Sequence, residues 1–225
     1  EYRRQRQMCI RDRLRVGVFG GSGYIGAELL RYLSAHPAVS LSWVTAHSNV
    51  GQEVGAVLPN LKAAVPGVFI SQAEGEERSS EVVVACAALP HNESQNLVPR
   101  LAEASPEIRF IDMAGDFRTN DAQGYEKYYG CEHGAADWLP RFTYGFTEFQ
   151  RDKVREARLV ANPGCFATGM LLALAPLAAA GRLSGDVCLL GLTGSSGSGN
   201  KPSSVSYTHL RAHETDSYRV CRLLL

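Results

Sequence analysis

Leu14-Arg-Val-Gly-Val-Phe19 runs directly into Gly20-Gly-Ser-Gly-Tyr-Ile-Gly26 and then into Ala27-Glu-Leu-Leu-Arg-Tyr-Leu-Ser34. The first six residues are a short, mostly apolar, β-leaning run. In the last eight, Leu29, Leu30 and Leu33 recur at helical spacing. Between them the glycines satisfy both G-x-x-G-x-x-G (Gly20, Gly23, Gly26) and G-x-G-x-x-G (Gly21, Gly23, Gly26). Glycines after a strand allow a tight turn and let a pyrophosphate approach the backbone, while the next helix offers free N–H groups and its positive dipole end. Gly20, Ser22, Gly23, Tyr24, Ile25 and Gly26 are therefore the candidate cofactor-binding residues. A purely structural glycine turn is the alternative, but the strand before and the helix after supply the context the motif needs.

Working outward, Pro37 ends the helix and Val39 to Val44 reads as a second strand. Val65 to Ile70, interrupted by Pro66 and Gly67, is a weak third. Glu81 to Leu89 is a buried-type strand stopped by Pro90, which joins the cofactor-binding candidates. Asn96 to Ala104 reads as a helix, Ile108 to Met113 as a strand, and Arg118 to Arg141 as a long surface excursion. Arg158 to Ala161 is a further strand, Phe166 to Gly181 an apolar helix, and Asp186 to Thr193 a new strand leading into Gly194-Ser-Ser-Gly-Ser-Gly199. Strands and helices alternating at this pitch predict an α/β fold, a Rossmann-type doubly wound parallel sheet. Residues 14–160 form that domain, and residues 161–204 follow it as a separate stretch. Residues 1–13 and 205–225 fit no element and read as non-native tails.

The 225 residues carry 23 basic and 23 acidic side chains. Five arginines stand in residues 1–13 and three in residues 205–225, which leaves 15 basic and 19 acidic residues in between. A mildly acidic body offers no electrostatic footprint for nucleic acid. No apolar run reaches about 18 residues, so no membrane partner is expected. Met8 is followed at once by Arg11, Asp12 and Arg13, which leaves no apolar signal core. None of the six cysteines forms a C-x-x-C pair, and their spacing suits neither a zinc cage nor a disulfide framework. The expected location is the cytoplasm, with no metal.

Four further features carry chemistry. The second strand ends in Thr45-Ala-His-Ser-Asn49 with no carboxylate. That removes repulsion against a 2′-phosphate, and Ser48 and His47 can donate to one, which favours NADP over NAD. His47 as a solvated loop residue is the other reading. Cys165 follows Asn162-Pro163-Gly164 at the start of a long helix, where the dipole favours a thiolate; a packed helix-start cysteine is the bland reading. Cys86 and Cys188 lie in strands and read as small core hydrophobes. Arg118, in Asp112-Met-Ala-Gly-Asp116-Phe-Arg118, either clamps a carboxylate or phosphate or pairs with Asp116 or Asp121. Ser195 and Ser196, in the second glycine loop, suit an oxyanion, with a flexible linker as the alternative. His91 at a strand end reads as structural.

Val18 to Leu30, Ile111 to Arg118, Tyr144-Gly145 with Glu148, Val160-Ala-Asn-Pro-Gly-Cys165 and Thr193 to Gly199 with Lys201-Pro202, in that order, resemble the N-acetyl-gamma-glutamyl-phosphate reductases of arginine biosynthesis. The resemblance implies NADPH-dependent reductive dephosphorylation of a small acyl phosphate through a thioacyl intermediate on Cys165. Arg118, Asn162, Ser195 and Ser196 would position the anionic groups of the substrate. It also implies an NADP-binding domain over residues 14–160, an α+β substrate and dimerisation domain begun over residues 161–204, a homo-oligomer and a longer chain, whose general acid/base histidine matches no position here; the 225 residues alone are expected to turn over negligibly. Carrier-linked aminoadipyl-phosphate reductase and aspartate-semialdehyde dehydrogenase are the neighbouring activities, and a non-catalytic NADP-binding fragment is the alternative of another class. Thr147, Phe166 and His47 depart from the pattern of the family, the last weakening its 2′-phosphate site because His carries less reliable charge than Arg.

Overall fold

Six strands, β1 (Leu14–Phe19), β2 (Val39–Val44), β3 (Val84–Ala87), β4 (Arg109–Asp112), β5 (Thr143–Tyr144) and β6 (Leu159–Ala161), form one sheet in the order β2-β1-β3-β4-β6-β5. Every neighbouring pair is parallel. The computed structural model describes residues 13–192 and 194, and the chain divides after Pro163 into two units. The helices are α1 (Tyr24–Ala35), α2 (Val54–Val57), α3 (Gln72–Glu77), α4 (Ser94–Ala104), α5 (Ala122–Tyr129), α6 (Thr147–Glu156) and, in the second unit, α7 (Cys165–Ala179). Strand β1 has β2 on one side and β3 on the other, so the chain reverses its winding there and a crevice opens at the carboxyl ends of β1 and β3.

The sheet is covered on both faces, as the doubly wound reading requires. Alternation along β1 sends Val16 and Val18 to one face and Phe19 to the other. Val16, Val18, Val44 and Cys86 pack with Leu30 of α1 and with Phe69. Phe19, Ala85, Phe110 and Leu159 pack with Leu97, Val98 and Leu101 of α4. Helix α1 stops at Ala35 because the residue before Pro37 is pushed out of the helical region; His36 takes extended angles.

Strands β1 and β2 fall on the expected residues, whereas at four points the reading of the sequence is corrected or completed. Val65 to Ile70 makes only two isolated bridges, Thr45 with Ile70 and Glu53 with Val68; Pro66 has no N–H to continue a ladder. Asp186 to Leu192 takes no regular secondary structure and pairs with no strand among the described residues, and an apolar run without a ladder partner is not a strand. Strand β5 and helix α6 were not legible. One has two residues and the other buries no side chain, so neither writes a periodic pattern.

The fourth correction concerns Arg118 to Arg141, which is no surface excursion. It holds α5 and the short 3₁₀ turn Ala136–Arg141, and it inserts Tyr125 and Leu139, 0% and 1% exposed, into the core. Tyr125 stacks on Tyr129 at 4.5 Å and meets His133 edge-on at 4.6 Å. His133 is buried neutral: Nδ1 accepts the Ala135 N–H at 3.0 Å, which leaves Nε2–H to donate to the Asp116 carbonyl at 2.9 Å. Burial pushes its pKa down.

In the second unit α7 carries Cys-Phe-Ala-Thr-Gly-Met-Leu-Leu-Ala-Leu-Ala-Pro-Leu-Ala-Ala, apolar nearly all round and with none of its residues buried. Among the described residues no helix is long and apolar enough to cross a membrane.

Replacing a fully buried aromatic with alanine costs about 3–5 kcal/mol, whereas a surface change costs under about 0.5. Tyr125→Ala is expected to lower the free energy of urea unfolding by about 3 kcal/mol; a change under about 0.5 would restore the surface-excursion reading.

Candidate active site

The glycine loop is shaped by contacts that leave room for no side chain. Gly20 has φ +78°, in the left-handed region that favours glycine. A Cβ on Gly26 would lie 2.3 Å from the Gly20 carbonyl oxygen and 2.7 Å from the Gly21 Cα, so only glycine lets α1 start this close to β1. Thr45, just beyond β2, fixes the loop from the other side. Its Oγ1 accepts the Gly20 N–H at 3.1 Å and its carbonyl accepts the Gly21 N–H at 2.8 Å. The sequence reading missed Thr45; a threonine one residue past a strand that runs parallel to the glycine-bearing one was the available signal.

Helix α1 begins at a glycine cap, Gly23, with no side-chain acceptor. The first intrahelical bond is Ala27 N–H to Gly23 O at 2.8 Å, so the N–H groups of Tyr24, Ile25 and Gly26 have no acceptor within the helix. Tyr24 and Ile25 are exposed, Ser22 is half-buried, and a Cβ on Gly23 would meet only the Gly20 oxygen at 3.9 Å. The loop thus presents donors and a dipole end to open space, which suits a pyrophosphate. Ser48 and His47 are exposed at the end of β2, and Pro90 is exposed beyond β3. Among the described residues, none of the three hydrogen-bonds to the loop.

At the ends of β4 and β6 the structure assembles Asp112, Asp116, Arg118 and Asn162. The Asn162 N–H donates to the Asp112 carbonyl at 2.7 Å, continuing the β4–β6 ladder. Arg118 donates through Nε to the Asn162 carbonyl and through Nη2 to that of Met113, both at 2.8 Å. It therefore ties two strand ends together and pairs with neither carboxylate considered for it. Asp121 instead accepts the Gly124 N–H and caps α5. Asp116, fully buried, accepts the Asn92 N–H through Oδ1 at 2.9 Å and the Gln95 N–H through Oδ2 at 3.0 Å, and so closes the start of α4. Two of the five guanidinium N–H groups of Arg118 serve the backbone, leaving donors for a ligand.

Asp112 is buried too. Burial pushes its pKa up to about 6, opposed by Ser94 and the Ala114 N–H, with Asp116 adding to the rise. Its Oδ2 and the Ser94 Oγ are both buried without a bond of ordinary geometry.

In the second unit Cys165 is the first residue of α7, exposed, after the Gly164 cap, which has no side-chain acceptor. The Thr168 N–H and Oγ1 both donate to the Gly164 carbonyl, at 2.9 and 3.0 Å. Within this unit Cys165 borders an open groove of about 480 Å³ lined by Phe166, Met170, Ala173 and Leu190. Cys86 is the contrast, for burial drives its thiol up to about 12 and makes it a core hydrophobe. Cys188 is exposed and not in a strand, which corrects that placement. Ser195 and Ser196 lie outside the described residues. Among the described residues no three His, Cys, Asp or Glu side chains converge as a metal site.

A parallel, doubly wound sheet with a donor-lined glycine loop at its first crossover defines a dinucleotide-binding domain. Residues 15–157 match the model of the semialdehyde dehydrogenase NAD-binding domain, and residues 165–222 that of the semialdehyde dehydrogenase dimerisation domain. The chain belongs to the semialdehyde dehydrogenase family.

It is 40% identical over 194 residues to an N-acetyl-gamma-glutamyl-phosphate reductase of Methanopyrus kandleri, covering 85% of this chain and 55% of that one. It is 39% identical over 187 residues to a putative [LysW]-L-2-aminoadipate 6-phosphate reductase of Thermomicrobium roseum, covering 81% and 51%. The fold is also similar to that of aspartate semialdehyde dehydrogenase II of Vibrio cholerae, at TM-score 0.55 and 21% identity over 75% of this chain and 47% of that one. The chain spans about half the length of the curated relatives it matches.

The raised Asp112 gives a pH test. A carboxyl that holds its proton more tightly folded than unfolded adds stability below the unfolded value near 4, and loses that contribution as pH rises through about 6. Asp112→Asn keeps the acceptor for Ala114 and offers Ser94 a donor. It is expected to unfold at higher urea than the wild type at pH 8, by roughly 2–3 kcal/mol, with the gap closing toward pH 4. A gap independent of pH would show that Asp112 ionises as readily folded as unfolded.

Proposed function

We propose that the chain carries the NADP-binding domain, over residues 14–160, and from residue 161 the opening of the substrate and dimerisation domain, of an acyl-phosphate reductase that acts on N-acetylglutamyl 5-phosphate and assembles as a homo-oligomer. The observation that supports this best is the pairing, in one chain, of the open donor-lined loop Gly20–Gly26 with an exposed cysteine as first residue of α7. The name of the Methanopyrus relative points to the same activity.

The residues present fit the dinucleotide. Gly20, Ser22, Gly23, Tyr24, Ile25 and Gly26 would hold the pyrophosphate, Ser48 the 2′-phosphate, and Pro90 would border the nicotinamide half. No carboxylate stands at the end of β2 to repel the extra phosphate. When bound, NADPH supplies the hydride that the reduction consumes.

Cys165 supplies the covalent step. Its thiolate attacks the acyl carbon, the carbon–oxygen bond to phosphate breaks, and phosphate leaves, giving a thioester on Sγ. Hydride added to that carbonyl carbon would give the thiohemiacetal oxyanion. Its collapse breaks the C–S bond, releases the semialdehyde and returns the thiolate. Arg118, Asn162, Ser195 and Ser196 orient the anionic groups. Cytoplasmic biosynthesis is the setting this chemistry suits. The second reading, reduction of a carrier-linked aminoadipyl phosphate, rests on the name of the Thermomicrobium relative.

The test uses the full chain. NADPH is expected to bind at least about tenfold more tightly than NADH by fluorescence titration, and Ser48→Glu to erase the preference by like-charge repulsion. Iodoacetamide labelling mapped by mass spectrometry is expected to alkylate Cys165 about tenfold faster than Cys188, an exposed thiol away from a helix start. Protection of Cys165 by N-acetylglutamyl phosphate, and not by the aminoadipyl analogue, selects the first substrate. Equal labelling of the two thiols would leave only a cofactor-binding module.

A further inference from the structure

We infer that His91 and Tyr129 converge with Arg118 at Gly115 as a donor set that takes the phosphoryl oxygens of the substrate. This rests on the acyl-phosphate reading above and adds two residues to its site.

Placement comes first. His91 follows β3 and Gly115 follows β4, so both lie at the carboxyl edge of adjacent parallel strands, where such sheets bind their ligands. The Gly115 N–H donates to His91 Nδ1 at 2.9 Å. With its lone pair used there, the neutral ring carries its proton on Nε2, and the side chain is 59% exposed. His91 therefore shows a fixed N–H donor to solvent.

Convergence is the second observation. A Cβ on Gly115 would lie 2.6 Å from His91 Cε1, the atom bonded to Nε2, and 2.7 Å from the Tyr129 hydroxyl. The two rings stand 5.8 Å apart. Arg118 also acts on the Tyr129 hydroxyl: burial pushes the phenol up and the guanidinium opposes the rise. An imidazole N–H, a phenol O–H and the remaining guanidinium N–H groups thus share one corner. Three donors of different geometry suit a tetrahedral oxyanion better than a planar neutral group.

Rigidity is the third. Asn92, directly after His91, sits at φ +70°, the only non-glycine with positive φ among the described residues. Its N–H donates to Asp116 Oδ1 at 2.9 Å, its Oδ1 accepts the Tyr125 hydroxyl at 2.9 Å, and its carbonyl accepts the side-chain amides of Gln95 and Asn96. These bonds hold a conformation that costs on the order of 1 kcal/mol and so fix the direction in which His91 leaves the chain. A histidine needed only to satisfy one surface N–H would not require that support.

Asp116 does not oppose the anion at close range. It lies 4.0 Å from His91 Nδ1, on the side of the ring away from Nε2, and both its oxygens accept backbone N–H groups.

The probe is inorganic phosphate added to the full chain, read at the Hε1 proton of His91 by NMR and assigned with His91→Gln. Phosphate is expected to shift that resonance saturably while His36 and His47 stay put. His91→Gln and Tyr129→Phe should each weaken phosphate binding about tenfold, read by ³¹P line width, with unchanged thermal midpoint and NADPH affinity. The His91 shift should persist with NADPH saturating. Competition between phosphate and NADPH at His91 would overturn the inference in favour of a cofactor contact. An unmoved His91, or phosphate affinity indifferent to both substitutions, would overturn it outright. Failure of NADPH to bind at all would sink the cofactor reading instead, and the phosphate titration would still decide this one.

Discussion

The buried carboxylate of Asp116 holds the carboxyl edge of the sheet together. One oxygen takes the Asn92 N–H, the other takes the Gln95 N–H, and its backbone carbonyl takes His133 Nε2. Three segments remote in sequence meet there: the loop after β3 with the start of α4, the loop after β4, and the 118–141 segment. An unpaired buried charge costs several kcal/mol, so these partners must be present together or not at all. The position of Arg118, two residues on, and of His91, one residue before Asn92, follows from that knot. Each takes its direction from a backbone that Asp116 has already fixed.

The same carboxylate sorts the helix starts. Helix α4 is closed by Asp116, α3 by Ser71 Oγ, and α5 by Asp121, each side chain accepting one first-turn N–H. Helices α1 and α7 begin with Gly23 and Gly164, neither with a side-chain acceptor. A glycine cap forgoes the side-chain acceptor and leaves the N–H groups and the dipole end available to whatever approaches. In a body whose net charge is mildly negative, an anionic ligand is held by such local donors rather than by a long-range field. Helices α2 and α6 also lack a side-chain cap, but α1 and α7 are the ones led by glycine, and their starts coincide with the glycine loop and with Cys165.

How much of this was legible follows from the range of each interaction. Strands β1 and β2, the glycine loop and the cysteine-led helix are local: a residue and its neighbours within about one turn write the pattern. Thr45 lies 25 residues from the glycine it bonds, and Asp116 lies 24 and 21 residues from its partners. No window of sequence reports such pairs, so the role of Asp116 was invisible and that of Thr45 was signalled only by its place one residue past β2. The 118–141 segment misled for a related reason. Its Gly, Tyr and Asp content reads as loop, but its apolar rings are single anchors spaced by turns, without a period. Residues 186–192 misled in the opposite sense, because an apolar run is necessary for a buried strand and the pairing that makes it one is nonlocal.

The places where local rules fail are not scattered. Asn92 takes a left-handed conformation, and Ser94 Oγ and Asp112 Oδ2 are buried without ordinary partners. All three lie at the carboxyl ends of β3 and β4 or in what directly follows them. Strain and unsatisfied polarity persist only where the surroundings over-determine them, and they gather where a protein positions groups for a ligand. A sheet needing only stability would replace Asp112 with a neutral residue and Asn92 with glycine. Keeping both, Asp112 at the end of β4 and Asn92 in the loop after β3, sets the rigid base beside Gly115 from which His91 and Arg118 project.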